Sequence, residues 1–154
     1  MQEDEENELD ARNFILSEFE SFNETYFSYW KDIDYSRRQM INFIDDLVDN
    51  LSVLVPENVY PTGLEDEPRQ IKASIDHSAK EFKICLLNSF NHVAALSDMI
   101  ILIDEDFNNY WWTLGELVYW YTDKLQKLHL EFLRVRELFD KMVQKYAEMC
   151  GIRI

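Results

Sequence analysis

Three glycines and three prolines in 154 residues leave little material for tight turns. Those residues supply the backbone conformations that reversing chains require. A sheet-rich fold needs such turns every few residues, so their scarcity excludes it. Cysteine is scarce too. Cys85 and Cys150 stand far apart with no CxxC spacing, which excludes a disulfide framework and implies free thiols in a reducing compartment. Long apolar runs are missing: MIILI, residues 99–103, is far too short to span a bilayer. The opening MQEDEENELD is acidic, whereas a secretory signal needs a basic start and an apolar stretch. These absences lead us to expect an intracellular protein, cytoplasmic or nuclear, with no membrane partner.

Basic residues are outnumbered two to one, 15 Lys and Arg against 30 Asp and Glu, for a formal charge of −15. The imbalance is uneven. Residues 1–67 hold 18 acids and only Arg12, Lys31, Arg37 and Arg38, while residues 68–154 hold 12 acids and 11 bases. Nucleic acid and anionic lipid require clustered bases, so direct binding to either is not expected. A basic ligand or a basic partner surface fits better.

Catalytic and metal patterns are also missing. His77, His92 and His129 all lack a Glu three residues earlier, the spacing of helical di-iron sites. His77 and Glu81 share a helix face, but two ligands do not make a metal site. DEDFNN at 104–109 fails as a calcium loop, with Asn109 where glycine is needed and Gly115 where glutamate is needed. Three scattered glycines cannot form a phosphate loop. We therefore expect no enzyme activity, no cofactor and no metal.

What is present is helical periodicity. Residues 1–11 carry six acids and almost nothing apolar, and read as a disordered tail before a single helical domain, 12–154. Ile15, Phe19, Phe22, Tyr26, Tyr29 and Trp30 predict a helix over 13–31. Asp32, Asp34 and Ser36 are turn and cap residues, so a break is expected near KDIDYS, followed by a second helix over 36–55. All three prolines, Pro56, Pro61 and Pro68, fall in a linker at 56–68. A third helix is expected over 69–103 and a fourth over 107–149, with Thr113 and Glu116 at capping-box spacing as a later alternative start. In the last, Trp111, Leu114, Val118, Tyr121, Leu125, Leu128, Phe132, Val135, Phe139, Met142, Tyr146 and Met149 keep strict 3-4 spacing. The expected fold is an all-α, four-helix bundle of two shorter and two long antiparallel helices with coiled-coil character.

The segment NNYWWTLGELVYWYTDKLQ, residues 108–126, adds six aromatic rings in 19 positions. At about 100° per residue, Leu114, Val118, Tyr121 and Leu125 form one face, with Trp111 on its flank. Trp112, Tyr119 and Trp120 lie away from that face, with Glu116 and Asp123 between them. A short hairpin would cover only part of a longer one, leaving the MIILI end and this aromatic stretch bare. So large an apolar patch implies either that the linker at 56–68 carries the short hairpin to that end or that another chain covers it. Trp112, Tyr119 and Trp120 are therefore the candidate partner-binding residues. The expected function is a non-enzymatic helical protein–protein interaction module, a subunit or adaptor of an intracellular assembly that meets a protein partner or another copy of itself. An acidic mimic of nucleic acid that inhibits a basic-groove protein is the alternative. A helical enzyme or ligand-binding bundle comes third.

Overall fold

In the computed structural model, the backbone is described for residues 2–54, 63–102 and 107–149. Side chains are described over 17–53 (apart from Glu18 and Ser52), 63–95 and 113–149. The described chain is all-helical: α1 spans Gln2–Leu54, α2 spans Asp66–Leu102 and α3 spans Phe107–Met149. The four expected helices are thus three. The expected pair at 13–31 and 36–55 is one helix of 53 residues, the longest of those described. It begins at Gln2, inside the stretch expected to be a disordered tail.

Residues 32–36 stay helical for a visible reason. Asp34 does not cap a new helix; its carboxylate accepts from Arg37 at 3.0 Å and from Arg38 at 2.7 Å, three and four residues on. Pairs at that spacing support a helix instead of ending it. The Asp34 hydrogen bond is also the main reason the Arg37 guanidinium sits above its ordinary pKa. Meanwhile Ile33 is buried, between Tyr26 and Met40 on a stripe of seven-residue spacing. An aspartate inside a helix costs at most ~0.7 kcal/mol. Burying a side chain such as Ile33 returns about 1.5–3 kcal/mol. Continuity wins.

The other boundaries lie close to expectation. Residues 55–62, which include the first part of the expected linker, lie outside the described ones. After them comes a turn over residues 63–65 in which Gly63 has φ of 87° and Asp66 N donates to Gly63 O at 3.0 Å. A side chain at Gly63 would be strained by that φ and would meet Asp66 Oδ2 at 2.9 Å. Pro68 lies inside the first turn of α2, where its missing amide has no intrahelical partner to lose. Thr113 is not a helix start, because α3 already runs from Phe107.

Contacts gather the chain into two compact units. The first comprises Met1–Trp30 and Phe82–Lys127, the second Lys31–Glu81 and Leu128–Ile154. In the first, Phe22 and Tyr26 of α1 share a core with Phe82, Leu86 and Val93 of α2 and Leu114, Tyr121 and Leu125 of α3. Phe19 meets Phe90 edge-on at 6.3 Å, and the Lys83 ammonium sits 5.6 Å above the Trp30 ring. Rising numbers in α1 thus meet falling numbers in α2, so the two segments are antiparallel. Ser89 is buried in this core, and its hydroxyl donates to Leu86 O at 2.6 Å within its own helix.

In the second unit the core is Ile33, Met40, Ile44, Leu47 and Leu51 with Ile75 and Ala79, closed by Phe132, Val135, Met142 and Tyr146. Ion pairs Arg37–Asp76, Lys72–Asp45 and Lys145–Glu67 tie its surface at 2.7–3.3 Å. Such exposed pairs contribute little, typically ~0–1 kcal/mol each. A buried latch contributes more. The Tyr146 hydroxyl donates to Leu64 O at 2.6 Å, fixing the turn before α2 to the last turns of α3. Tyr146→Phe strands that carbonyl, so a loss of about 1–2 kcal/mol is expected in urea unfolding. A variant as stable as the parent would remove the latch from the account.

Candidate protein-binding face on the last helix

The 3-4 series of α3 is where the sequence put it. Leu114, Tyr121, Leu125, Phe132, Val135, Met142 and Tyr146 are buried, and Val118, Leu128 and Phe139 are half-buried. Among the described members of the series only Met149 is exposed. Trp111 belongs to the same series, but its side chain lies outside the described residues, as does that of Trp112.

The two described members of the candidate face stand out of the core. Tyr119 is 77% exposed and Trp120 53% exposed, while their neighbour Tyr121 is 5% exposed. Burial holds the Tyr121 hydroxyl above its ordinary pKa, with a smaller push from Cys85. Its oxygen shares a 2.7 Å hydrogen bond with His92 Nδ1. One turn of helix therefore presents a sealed phenol and two solvent-facing rings.

Trp120 is nevertheless held. Its indole meets the Tyr121 ring at 4.8 Å and 82°, an edge-to-face contact, and Lys124 Nζ lies 4.9 Å from the indole centre on its face. Each such contact contributes about 0.5–1.5 kcal/mol. An exposed ring fixed in this way loses less freedom when something docks on it.

The electrostatics of the face are not set by Glu116 and Asp123 alone. Glu116 and Asp123 are both exposed, as expected for positions between Tyr119 and Trp120. Asp123, however, pairs with Lys127 at 2.8 Å, one helical turn on. That hydrogen bond is the main reason Lys127 holds its proton above its ordinary pKa. With Lys124 over the indole, two bases offset the two acids locally. The face is aromatic and near neutral, although the chain as a whole is strongly acidic.

Sequence periodicity missed other exposed apolar side chains of the same unit, Phe27, Ile84 and Leu87. Ile84 and Leu87 lie off the buried stripe of α2, and single exposed aliphatics carry no periodic signal. Among the described residues no group of three His, Cys, Asp or Glu side chains could hold a metal ion. Cys85 is buried, and Cys150 lies outside the described residues. No described helix is long and apolar enough to cross a membrane. No known family, no curated protein and no solved structure matches the chain.

Proposed function

We propose that this chain is a non-enzymatic helical interaction module, a bundle-type subunit or adaptor that meets another protein chain through Trp112, Tyr119 and Trp120. The observation that supports the reading is the exposure of Tyr119 and Trp120 on one helical turn whose other side carries the buried stripe. Large rigid aromatics supply most of the energy in protein interfaces, because each buries a wide area at little entropic cost. The contact between Trp120 and Lys124 further suits the surface to docking. Stability of the module comes from its aliphatic and aromatic stripes, which leaves the outer rings available to a partner.

Sedimentation velocity tests the proposal at its base. The purified chain, from low to high concentration, and the tagged chain in its native lysate should show a species heavier than 18.5 kDa in at least one setting. A chain that stays at its monomer mass in both would contradict it.

A further inference from the structure

A groove of about 520 Å³ opens in the second unit, and its lining is chemically sorted. Along α2 it is bordered by Ala73, Ser74, His77, Ser78 and Glu81, all on one helix face. Three of these five have side chains no longer than a hydroxymethyl, which is why the trough exists: nothing fills the space opposite Leu128 and Val135 of α3. Leu128, Val135 and Ser78 form the floor, since they are the lining residues with least exposure. The charged groups Glu81, Glu131 and Arg134 stand at the rim.

The charges at the rim do not cancel. Arg134 forks onto both oxygens of Glu131, at 3.1 and 2.6 Å, so that pair satisfies itself. The Glu131 carboxyl is held below its ordinary pKa chiefly by this bond, which keeps it charged and engaged. Glu81 has no ion pair with any described residue. One uncompensated carboxylate therefore overlooks a floor made of two aliphatic side chains and Ser78. A second group is also unsatisfied: Ser78, only 5% exposed, has a hydroxyl with no hydrogen-bond partner. Buried hydroxyls are normally paired, and an orphan beside a groove calls for an account.

We propose that this groove takes one basic side chain of a partner polypeptide, its aliphatic stem on Leu128 and Val135 and its ammonium or guanidinium at Glu81. Long basic side chains are built this way, with an apolar stem and a charged head that part company at a surface. A single free carboxylate matches a single cation, which disfavours polyamines and strongly basic tracts. The net charge of −15 raises the local concentration of cations around the whole molecule. It does not choose a position; the groove does. The inference goes beyond the aromatic face and does not depend on it, because the two sets of residues lie in different units.

The test uses single capped amino acids as probes, so that no association of the chain is needed. N-acetyl-lysine methylamide and N-acetyl-arginine methylamide are titrated into the ¹⁵N-labelled full chain, with the capped norleucine and glutamate analogues as controls. Saturable shifts confined to residues 73–81 and 128–135 are expected for the two cations and not for the controls. Glu81→Gln should weaken them roughly threefold or more, as loss of one exposed charge pair does. Asp49→Asn, which removes an exposed acid outside the groove, should leave them unchanged. Shifts spread over the acidic surface, equal losses in both variants, or binding of the glutamate analogue would overturn the proposal. Loss of association through Trp112 and Trp120 would leave this outcome untouched.

Discussion

Phe132→Asp should abolish cooperative folding of the chain. Phe132 is 1% exposed in the stripe of α3, with Leu128 and Val135 one turn to either side. Truncating such a ring costs about 3–5 kcal/mol through lost transfer energy and the cavity left behind. The substitution also places a carboxylate among apolar groups, where it must be protonated or drag water inward. Small domains are stable by only ~5–15 kcal/mol, so the combined cost consumes most or all of that margin. Leu130→Asp supplies the control. It lies two residues away on the same helix but is 65% exposed, so its unfolding midpoint should barely move. Helicity and urea melts of the two variants read the difference. Equal behaviour would take the stripe out of the core, and the fold reading with it.

Association should respond to the other face. Replacing both Trp112 and Trp120 with alanine is expected to weaken binding to the partner by about 2 kcal/mol or more, roughly 30-fold in affinity, as central interface aromatics do. Trp120 is half out of solvent on the isolated chain, and its own contacts there are the Tyr121 ring and Lys124. Loss of the two Trp120 contacts should lower intrinsic stability by about 1–3 kcal/mol, short of unfolding a domain of ordinary stability. Affinity and the thermal midpoint must therefore be measured on the same preparations. Unfolding with no separate loss of affinity would mean that both aromatic faces are core.

The sequence displayed some of this plainly and hid the rest for physical reasons. The α3 stripe was legible because 3-4 spacing without a polar interruption has only one cheap solution, burial along one face. The turn before α2 was legible from proline. The continuity of α1 was not. Asp34 and Ser36 are residues that can either cap a helix or decorate its side, and only the ion pairs to Arg37 and Arg38 and the burial of Ile33 decide between them. At the candidate face, the angular split between Tyr119 or Trp120 and Tyr121 followed from helix geometry alone. The indole's seat on Tyr121 depends on rotamers, and the neutralising Asp123–Lys127 pair on which of several partners a carboxylate takes. The groove was invisible for a different reason: Ala73, Ser74 and Ser78 mark it by volume they lack, and a one-dimensional pattern has no term for empty space.

Hydroxyl-radical footprinting of the assembled and isolated chain tests the central claim most directly, because it reads the solvent access of individual aromatic rings. On the isolated chain Tyr119 and Trp120 should label readily, as should Tyr35, which is 67% exposed and lies in the other unit. In the assembly recovered from native lysate, or at concentrations where the chain associates, Tyr119, Trp120 and Trp112 should be protected several-fold while Tyr35 labels as before. Unchanged labelling of Tyr119 and Trp120 in a verified assembly would contradict the account.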